Sequence, residues 1–425
     1  MIATPPTTAA IPDVVPSNSE ARRRIVLLGG FGMRPKATMR FRALPLGQAI
    51  AAEGHEVTLV LPPWDCPEDA GHEWRDGGVR VVNVPLPARG GTAWGTPALV
   101  SALVRAVRAA RPDLVHLFQP KGYGGLAARL LRGVPLVVDV DDWEGAGGWN
   151  DVNPYPSMQR HLFAWQERDL PRHATICTVA SQTLAKRVAA FGVPANRITY
   201  LPNALADSRR DAWSVGNTVG GSEVATRALR QRFGLTGPTV LLYTRFAECA
   251  PEVVAAVFAR VRERLPEARL LIVGGSEAAR PAFAPFADAV VWAGSVDFDD
   301  LPAYLRLADV ALVPFADTPV NRAKCSVKTL DLLALGLPIV ATRVGENSGM
   351  IRDGETGVLV PPDDTDAVAH ALVALLTDTP RREALGIAAR ERAWREQTWA
   401  VQLPALLAAY GQALTTTAPV SRRNR

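Results

Sequence analysis

Short apolar runs alternate with longer amphipathic segments over most of the chain. The runs are nearly continuous, as in strands buried on both faces of a parallel sheet, and the segments between them have a helical period. In the first half the predicted strands are RIVLLGG, HEVTLVLP, VRVVNVPL, DLVHLF, VPLVVDV, ATICTVA and RITYLP. Strands that alternate with helices in this way predict a mostly parallel sheet with helices on both faces.

The alternation starts afresh after a small and polar stretch from about Asn203 to Pro238. The strands predicted there are TVLLYTR, ARLLIVGG, DVALVPF, PIVAT and GVLV. We therefore predict an α/β protein with two doubly wound, Rossmann-like domains that face each other across a cleft. The predicted parts are a disordered lead-in (1–23), an N-terminal domain (24–205), a second domain (206–397), a last helix (about 398–416) and a disordered basic tail (417–425).

Composition is that of an ordinary globular protein, with 425 residues of which 48% are hydrophobic and 21% charged. No run approaches the roughly 18 apolar residues that cross a bilayer. The cysteines are far apart and form no C-x-x-C pair: Cys66, Cys177, Cys249 and Cys325. We therefore expect reduced thiols, no metal site and a cytoplasmic protein. The net charge of +5 is modest and no aromatic-interleaved basic stripe is present, so we expect no nucleic-acid partner.

One predicted helix leaves peripheral membrane association open. In PALVSALVRAVRAARP, three arginines recur at helical spacing: Arg105, Arg108 and Arg111. They form either a basic face that rests on anionic lipid at the inner face of a membrane, or the solvated face of a helix that covers the sheet. The sequence does not indicate the oligomeric state.

The stretch KCSVKTLDLLALGLPIVAT predicts a helix that opens after Ser326 and ends at Gly336. Lys328 lies in its first turn, where the helix dipole disfavours a cation. Either Asp331, three residues on, pairs with Lys328 locally, or a bound anion does. Arg245 ends a predicted buried strand, and a guanidinium can grip phosphate through two parallel bonds. We favour a phosphate site of Arg245 and Lys328, with Asp331 accepting hydrogen bonds from ribose hydroxyls.

Glycines follow the first predicted strand in GGFGMRPKATMRFR. Gly30 and Gly32 either let the backbone approach an anionic ligand or only make a tight turn. Arg40 and Arg42 are acceptor-side candidates, or else surface arginines. His116, at the end of the strand DLVHL, is either a core histidine or a further acceptor-side residue.

The run DVDD places Asp139, Asp141 and Asp142 directly after a strand. Carboxylates at this spacing are one way to bind Mg²⁺ or Mn²⁺. Because Arg245 and Lys328 can neutralise a diphosphate without a metal, we instead expect no metal here. Asp141 or Asp142 would then face the acceptor or the donor sugar.

The region from Ala308 to Pro362 resembles the donor-binding half of the family 4 glycosyltransferases (glycosyltransferase group 1). Upstream landmarks extend the resemblance over nearly the whole chain after residue 24: RIVLLGGFG, RALPLGQAIAAEGHEVTLV, PDLVHL, RHATICTVASQTL, RITYLPNAL and LPAYLRLADVALVP. The resemblance implies the GT-B fold, with an N-terminal acceptor domain and a C-terminal domain for a sugar nucleotide. The helix from about Thr398 resembles the one that crosses back onto the N-terminal domain.

The resemblance also implies roles for individual residues. Arg245 matches the arginine that contacts the donor diphosphate, Lys328 matches the lysine of the P-x-K-x-x-E variant motif, and Asp331 falls at its ribose-binding glutamate. We also expect three neighbours of Lys328 in the donor site: Cys325, Ser326 and Thr329. Asp141 stands where many members place a histidine near the reacting sugar, and we count it with Arg245 and Lys328 as catalytic.

The chain departs from the family pattern at several positions. Ala323 stands where the family's usual E-x(7)-E motif has its first acidic residue. The lysine that usually follows the diphosphate-binding arginine is missing after Arg245. The family's usual PNG-D motif is replaced by PNALAD. These departures leave open how the sugar hydroxyls are held.

We therefore predict a glycosyltransferase that moves a sugar from a nucleotide-diphosphate sugar to an acceptor hydroxyl, with retention of configuration and without a metal or other cofactor. Two alternatives remain. A nucleotide-sugar 2-epimerase shares the architecture and needs no acceptor, and a non-catalytic GT-B partner subunit agrees with the missing acid and the replaced histidine. The family's commonest association is polysaccharide or glycoconjugate biosynthesis, which is analogy alone.

Overall fold

Two sheets organise the computed structural model, which describes residues 22–34, 38–87, 95–213 and 223–417. The first sheet contains β1 (Arg24–Leu28), β2 (Glu56–Leu61), β3 (Glu73–Asp76), β4 (Val79–Asn83), β5 (Leu114–Phe118), β6 (Leu136–Val140), β7 (Ile176–Val179) and β8 (Ile198–Tyr200). The second contains β9 (Thr239–Thr244), β10 (Arg269–Gly274), β11 (Val290–Gly294), β12 (Val310–Val313), β13 (Ile339–Thr342) and β14 (Val358–Val360). Most of the predicted lead-in and tail lies outside the described residues.

The strand orders are those of doubly wound sheets. The first sheet runs β3-β4-β2-β1-β5-β6-β7-β8 and the second β11-β10-β9-β12-β13-β14. Only β3 is antiparallel to its neighbour among these described strands. The sequence missed β3 because it is a short polar edge strand, whereas the strands that are buried on both faces were predicted. The predicted α/β architecture is confirmed.

Helices cover both sheets. They are α1 (Leu44–Ala52), α2 (Gly95–Ala109), α3 (Gly122–Leu130), α4 (Trp149–Val152), α5 (Ser157–His173), α6 (Gln182–Ala190), α7 (Arg210–Trp213), α8 (Glu223–Arg232), α9 (Pro251–Arg264), α10 (Leu301–Leu305), α11 (Pro319–Ala323), α12 (Val327–Leu335), α13 (Asn347–Met350), α14 (Thr365–Thr377), α15 (Thr379–Glu396) and α16 (Trp399–Thr417). A π-helix (Met39–Ala43) precedes α1, and 3₁₀ helices span Pro67–Asp69, Ala195–Arg197, Asp207–Arg209 and Glu277–Phe286. None of the described helices is long and apolar enough to cross a membrane.

The chain passes between the two sheets twice, and the two passages lie side by side. Leu205 pairs with Thr398 in a parallel bridge, with backbone hydrogen bonds to the residues that flank Thr398. From there α16 returns to the first sheet, where Trp399 and Tyr410 are buried in the same apolar cluster as β1 and β2. The last helix thus ties the end of the chain to the first sheet.

Helix α2 buries its apolar side through Leu103 and Val107, whereas Arg105 and Arg108 are exposed. This is the arrangement of an amphipathic helix that covers a sheet. A role of these arginines at a membrane stays a prediction.

Candidate active site

A cavity that opens to solvent lies at the carboxyl edge of the second sheet. It is lined by the ends of β9 and β12, the loop after β9 and the first turn of α12. Strand β9 has β10 on one side and β12 on the other, so the connections leave it in opposite directions. Open parallel sheets bind ligands at such a point. The predicted residues Lys328, Ser326 and Thr329 line this cavity.

The helix that carries Lys328 begins and ends where the sequence predicts. The Ser326 hydroxyl caps it by accepting the Thr329 N–H at 3.2 Å, and Gly336 ends it with a left-handed φ of 71°. The Thr329 hydroxyl is buried and has no hydrogen-bond partner among the described residues. It is therefore a group of the cavity wall that a ligand can satisfy.

One carboxylate on the loop after β9 faces two lysines. Oε1 of Glu248 lies 2.9 Å from Nζ of Lys324 and 3.5 Å from Nζ of Lys328. Burial alone raises the pKa of the Glu248 carboxyl, but Lys328 and Lys324 outweigh it and lower that pKa to about 2. Burial lowers the pKa of Lys328; Glu248 opposes this shift, whereas Lys324 and Arg245 add to it. Two ammonium groups against one carboxylate leave a net positive charge at the cavity.

Arg245 adds to this charge from the end of β9. Its side chain is exposed and makes no ion pair or hydrogen bond among the described residues. The next residue, Phe246, has a left-handed φ of 59°, uncommon for a bulky side chain. Its N–H donates to the Thr244 hydroxyl at 2.8 Å, which holds the turn after Arg245. Arg245 and Lys328 therefore lie at the same edge of the sheet, as the sequence predicts.

Asp331 does not pair with Lys328, which overturns the local ion pair as the explanation of Lys328. Its Oδ1 instead accepts from Arg209, on the connection between the sheets, at 3.3 Å. Asp331 is only 2% exposed. Burial raises the pKa of its carboxyl to about 7, although Arg209 and Lys328 oppose the shift. Arg209 thus hydrogen-bonds to the carboxylate to which the resemblance assigns the binding of ribose hydroxyls.

Arg209 also fills the cleft between the two sheets. Its guanidinium carbon lies 4.6 Å from the ring centre of Phe41 and 4.4 Å from that of Phe298. The predicted acceptor-side residue Arg40 is exposed, and its guanidinium lies over the same two rings, 5.1 Å from the centre of Phe298. Phe41 follows the first sheet's β1 and Phe298 the second sheet's β11, so this cluster bridges the cleft.

Arg42 is not an acceptor-side residue, which corrects the prediction. It is 1% exposed and forms a bidentate pair with Asp139, whose oxygens lie 2.6 and 2.7 Å away. Nη1 also donates to Oδ1 of Asn203 at 2.9 Å. Asn203 in turn donates its amide Nδ2 to the carbonyl of Cys325 and its backbone N–H to Sγ. Arg42 therefore supports the contact between the first domain and the start of α12.

His116 is likewise a core residue and not a site residue. It is fully buried, with Nδ1 2.8 Å from the hydroxyl of Tyr410 and Nε2 3.2 Å from that of Thr178. Burial lowers the pKa of this imidazole to about 4, so the ring is neutral at physiological pH. The Thr178 hydroxyl also donates to Asp139. Both oxygens of Asp139 thus accept hydrogen bonds from protein side chains.

The glycine loop is closed by a carboxylate. The Gly32 N–H donates to Oδ1 of Asp65 at 2.8 Å, so this amide is not offered to an anion, contrary to the prediction. Gly30 lies beside the backbone of Gln119 and Lys121, and its carbonyl accepts from Trp64 at 3.0 Å. The loop packs against the start of the segment after β5.

Asp141 and Asp142 lie at the carboxyl edge of the first sheet, directly after β6. Nε2 of Gln119 is 3.4 Å from Oδ2 of Asp141 and 3.3 Å from Oδ2 of Asp142. Burial raises the pKa of Asp141, and the negative charges of Asp142 and Asp139 raise it further. The ring of Trp149, on the same segment, lies 5.4 Å from Nζ of Lys324. This segment therefore faces the donor-side cavity across the cleft.

The sequence did not single out several residues of the site. Glu248, Lys324, Arg209 and Gln119 were missed because each acts through a contact made in the fold. A faint signal existed for Lys324, which precedes Lys328 by four residues. Ala323, at the position of the family's first acid, is fully buried at the end of α11 and provides no polar side chain.

Comparisons with known proteins identify the family. The family model described as "Glycosyl transferase 4-like domain" matches residues 38–204, and "Glycosyl transferases group 1" matches residues 237–378. A GDP-mannose-dependent alpha-(1-6)-phosphatidylinositol monomannoside mannosyltransferase of Mycobacterium tuberculosis is 26% identical over 379 residues, 84% of this chain and 91% of that protein. A GDP-mannose-dependent alpha-mannosyltransferase of the same organism is 29% identical over 378 residues, 84% and 88% of the two chains.

Among solved structures, the fold is similar to that of sucrose-phosphate synthase from Thermosynechococcus elongatus. The TM-score is 0.71 at 22% sequence identity, over 93% of this chain and 100% of that one. At this identity the likeness concerns the fold alone. The two family models divide the chain between the two sheets that the structure describes.

Proposed function

This chain belongs to the family 4 glycosyltransferases of group 1 type, with the GT-B fold, and from that premise we propose how its site transfers a sugar. The donor is a sugar nucleotide whose diphosphate binds in the cavity beside β9. The acceptor hydroxyl comes from the first domain's side of the cleft. The product keeps the anomeric configuration of the donor.

The observation that carries this proposal is the pairing of Lys324 and Lys328 with Glu248, together with Arg245, whose charge acts on Lys328. The three cations and one carboxylate leave an excess of two positive charges at this edge of the second sheet. A diphosphate matches this excess, and the first turn of α12 adds the positive end of its dipole. Lys324 also compensates for the lysine that is missing after Arg245. Protein cations thus take the place that a divalent metal has in other diphosphate sites.

These cations act on the leaving group. As the bond between the anomeric carbon and the diphosphate oxygen breaks, both electrons go to the diphosphate, and the sugar becomes oxocarbenium-like. The acceptor oxygen forms the new bond to the anomeric carbon on the face that the diphosphate leaves, and its proton passes to an oxygen of the departing diphosphate. Positive groups already aimed at the developing charge lower the barrier most, because they need no reorganisation. Lys328 and Arg245 are the residues to which we assign this role, and we assign Asp141, on the first domain's side of the cleft, to the reacting sugar.

The relatives suggest which donor to examine first. Both mycobacterial relatives carry GDP-mannose dependence in their names. We take GDP-mannose as the first candidate donor, and the guanine base and mannose as the features to vary. Asp331, released from Arg209, is the group that we assign to the ribose hydroxyls.

Product analysis tests the proposal. The protein is incubated with GDP-mannose, UDP-glucose or ADP-glucose, a panel of glycan and inositol acceptors, and EDTA. Formation of a glycoside whose anomeric signal in NMR matches the donor supports transfer with retention and without a metal. Conversion of the donor to its 2-epimer without any acceptor would show an epimerase instead. Donor binding with no product across the whole panel would support a non-catalytic subunit.

A further inference from the structure

Gln119 has a strained backbone and a buried side chain at the carboxyl edge of the first sheet. Its φ is 56°, in the left-handed region that residues other than glycine rarely adopt. Gln119 directly follows β5, the strand that lies between β1 and β6 in the sheet. It is only 4% exposed. Backbone strain of this kind persists where the surrounding structure imposes it, and it is concentrated at ligand sites. The amide of Gln119 approaches the segment after β6.

Of the two polar atoms of the Gln119 amide, Nε2 has hydrogen-bond partners among the described residues and Oε1 has none. Its Nε2 approaches Oδ2 of Asp141, Oδ2 of Asp142 and the hydroxyl of Thr38, at 3.2–3.4 Å. Its Oε1 is buried without a hydrogen-bond partner among the described residues, and so is Oδ1 of Asp141. Buried polar atoms are nearly always hydrogen-bonded in folded proteins. Oε1 of Gln119 is an acceptor, and so is Oδ1 of Asp141 when the carboxyl is ionised, a form that a bound cation would favour against the raised pKa of Asp141. A group that satisfies both atoms therefore brings N–H or O–H donors.

The carboxylates beside Gln119 lack a directly paired cation within the part of the chain that the structure describes. Neither Asp141 nor Asp142 forms an ion pair among the described residues, whereas the neighbouring Glu144 is paired with Lys121 at 2.5 Å. Two aspartates therefore share a single neutral amide. Asp141 is 9% exposed and Asp142 is half-buried, so the pair opens to the cleft. An ammonium group, with three donors and a positive charge, fits both the empty acceptors and the uncompensated carboxylates.

The pair also lies near the donor side. The segment that begins with Asp141 and Asp142 reaches Trp149, whose ring faces Lys324 across the cleft. Lysines thus lie on the second domain's side of the cleft, and two carboxylates without an ion pair among the described residues lie on the first domain's side. The lysines suit the diphosphate of a donor, and the carboxylates suit a substrate of opposite charge.

We propose that Gln119, Asp141 and Asp142 form an acceptor subsite for a sugar or cyclitol that carries an ammonium group beside its hydroxyls. This inference rests on the proposed function, since it names the acceptor of that transfer. The ammonium donates to the carboxylates and to Oε1 of Gln119, and thereby orients a neighbouring hydroxyl towards the donor sugar. A neutral polyhydroxyl ligand would satisfy the hydrogen bonds but leave the charge of the two aspartates uncompensated.

Ligand-observed NMR titration of the full chain tests this subsite. The probes are glucose, N-acetylglucosamine and the 2-amino, 3-amino and 6-amino derivatives of glucose, each with and without GDP. We expect at least one amino sugar to bind about tenfold more tightly than glucose, and N-acetylglucosamine to behave like glucose. The net charge of +5 argues against a general attraction of cations to this protein.

Two isosteric variants locate the effect. Asp142→Asn and Asp141→Asn should reduce the preference for the amino sugar to about that for glucose, whereas Asp299→Asn, an exposed aspartate on the second domain, should keep it. Equal or weaker binding of all amino sugars to the wild-type chain, or no binding of any probe, would overturn the inference. So would a preference that survives both substitutions. GDP binding in the same samples reports separately on the proposed function, because a chain that binds GDP without this preference would lose only the acceptor assignment.

Discussion

The ammonium of Lys328 lies 3.5 Å from Oε1 of Glu248, a carboxylate that precedes it by 80 residues in the chain. A lysine in the first turn of a helix is thus held by a carboxylate from another loop and not by Asp331 in its own helix. Glu248 keeps the lysine extended into the cavity but cannot neutralise both Lys328 and Lys324. The remaining positive charge is what we assign to the donor diphosphate.

Replacing Lys328 should abolish most turnover while the fold persists. Lys328→Ala removes a charge that stabilises the leaving diphosphate, and losing one such group costs about 100-fold or more in kcat. The measurement is steady-state transfer with the preferred donor, together with circular dichroism to check the fold. Lys186→Ala, which removes an exposed lysine of α6, is the matched control and should behave like wild type. Turnover of Lys328→Ala near that of the control would refute the assigned role.

Glu248→Gln should separate stability from donor affinity. Without its charge, Lys324 and Lys328 repel each other with no counter-ion between them, so the ligand-free protein should lose several degrees in Tm. The stronger positive charge should at the same time lower the Kd for a nucleoside diphosphate several-fold. Differential scanning fluorimetry with and without nucleotide measures both effects. Glu252→Gln, at an exposed glutamate in the first turn of α9, serves as the control, and a weaker Kd in Glu248→Gln would contradict the account.

The buried carboxyl of Asp331 should make the stability of the folded chain depend on pH. Burial raises the pKa of its carboxyl from an ordinary value of 3.8 to about 7. Folding therefore favours the protonated form, and this contribution to stability is complete below about pH 4 and lost as pH rises through about 7. The Tm of wild type should fall relative to that of Asp331→Asn between pH 5 and pH 8, by an amount that corresponds to about 3 kcal/mol at most. Parallel Tm profiles would show that the carboxylate ionises freely in the folded chain.

Nucleotide affinity should change with pH in the opposite sense. If the ionised carboxylate of Asp331 accepts the ribose hydroxyls, binding of GDP should strengthen from pH 6 to pH 8 in wild type and less so in Asp331→Asn. Ionisation of the nucleotide's phosphate changes Kd equally in both proteins. The difference between their pH profiles of Kd therefore reports on Asp331 alone. Equal pH profiles of Kd would remove Asp331 from the ribose site.

Arg42→Ala should destabilise the first domain, because Arg42 has a structural role and does not recognise the acceptor. Removing one partner of the buried pair with Asp139 leaves an uncompensated charge, which costs about 3–5 kcal/mol. Thermal unfolding should show a large loss of Tm or an insoluble protein. Arg40→Ala, two residues away and exposed, should change Tm by little. An Arg42→Ala protein with wild-type Tm but altered acceptor KM would restore the original prediction.

The fold was predictable because helices cover both faces of each buried strand, so each such strand is a nearly continuous apolar run. β3 and the connection helices α7 and α8 were not predicted because their residues are polar or small, and only their contacts order them. Helix α15, rich in arginine, alanine and glutamate, was also missed since it follows α14 after a single residue. Apolar patterning thus determines the two sheets but not the elements that pack at their edges.

The candidate site was predictable where one residue carries its own signal. Lys328 in the first turn of a helix and Arg245 at the end of a buried strand are both anomalous from the sequence alone, and the structure brings them to one edge. The acceptor-side prediction for Arg42 was wrong and the two readings of His116 stayed open, because the sequence around such a residue is the same whether its side chain faces a ligand or a buried partner. Asp139 and Tyr410, their partners, lie far away in the sequence.

We propose that Lys328, Lys324 and Arg245 bind the diphosphate of a nucleotide without a metal. Isothermal titration calorimetry of GDP and GMP into wild type and Lys328→Ala, all in EDTA, measures this binding. We expect GDP to bind wild type at least about tenfold more tightly than GMP, since the second phosphate reaches the lysines, and Lys328→Ala to lose that difference. GDP binding that requires added Mg²⁺, or an equal preference for GDP in both proteins, would contradict the claim.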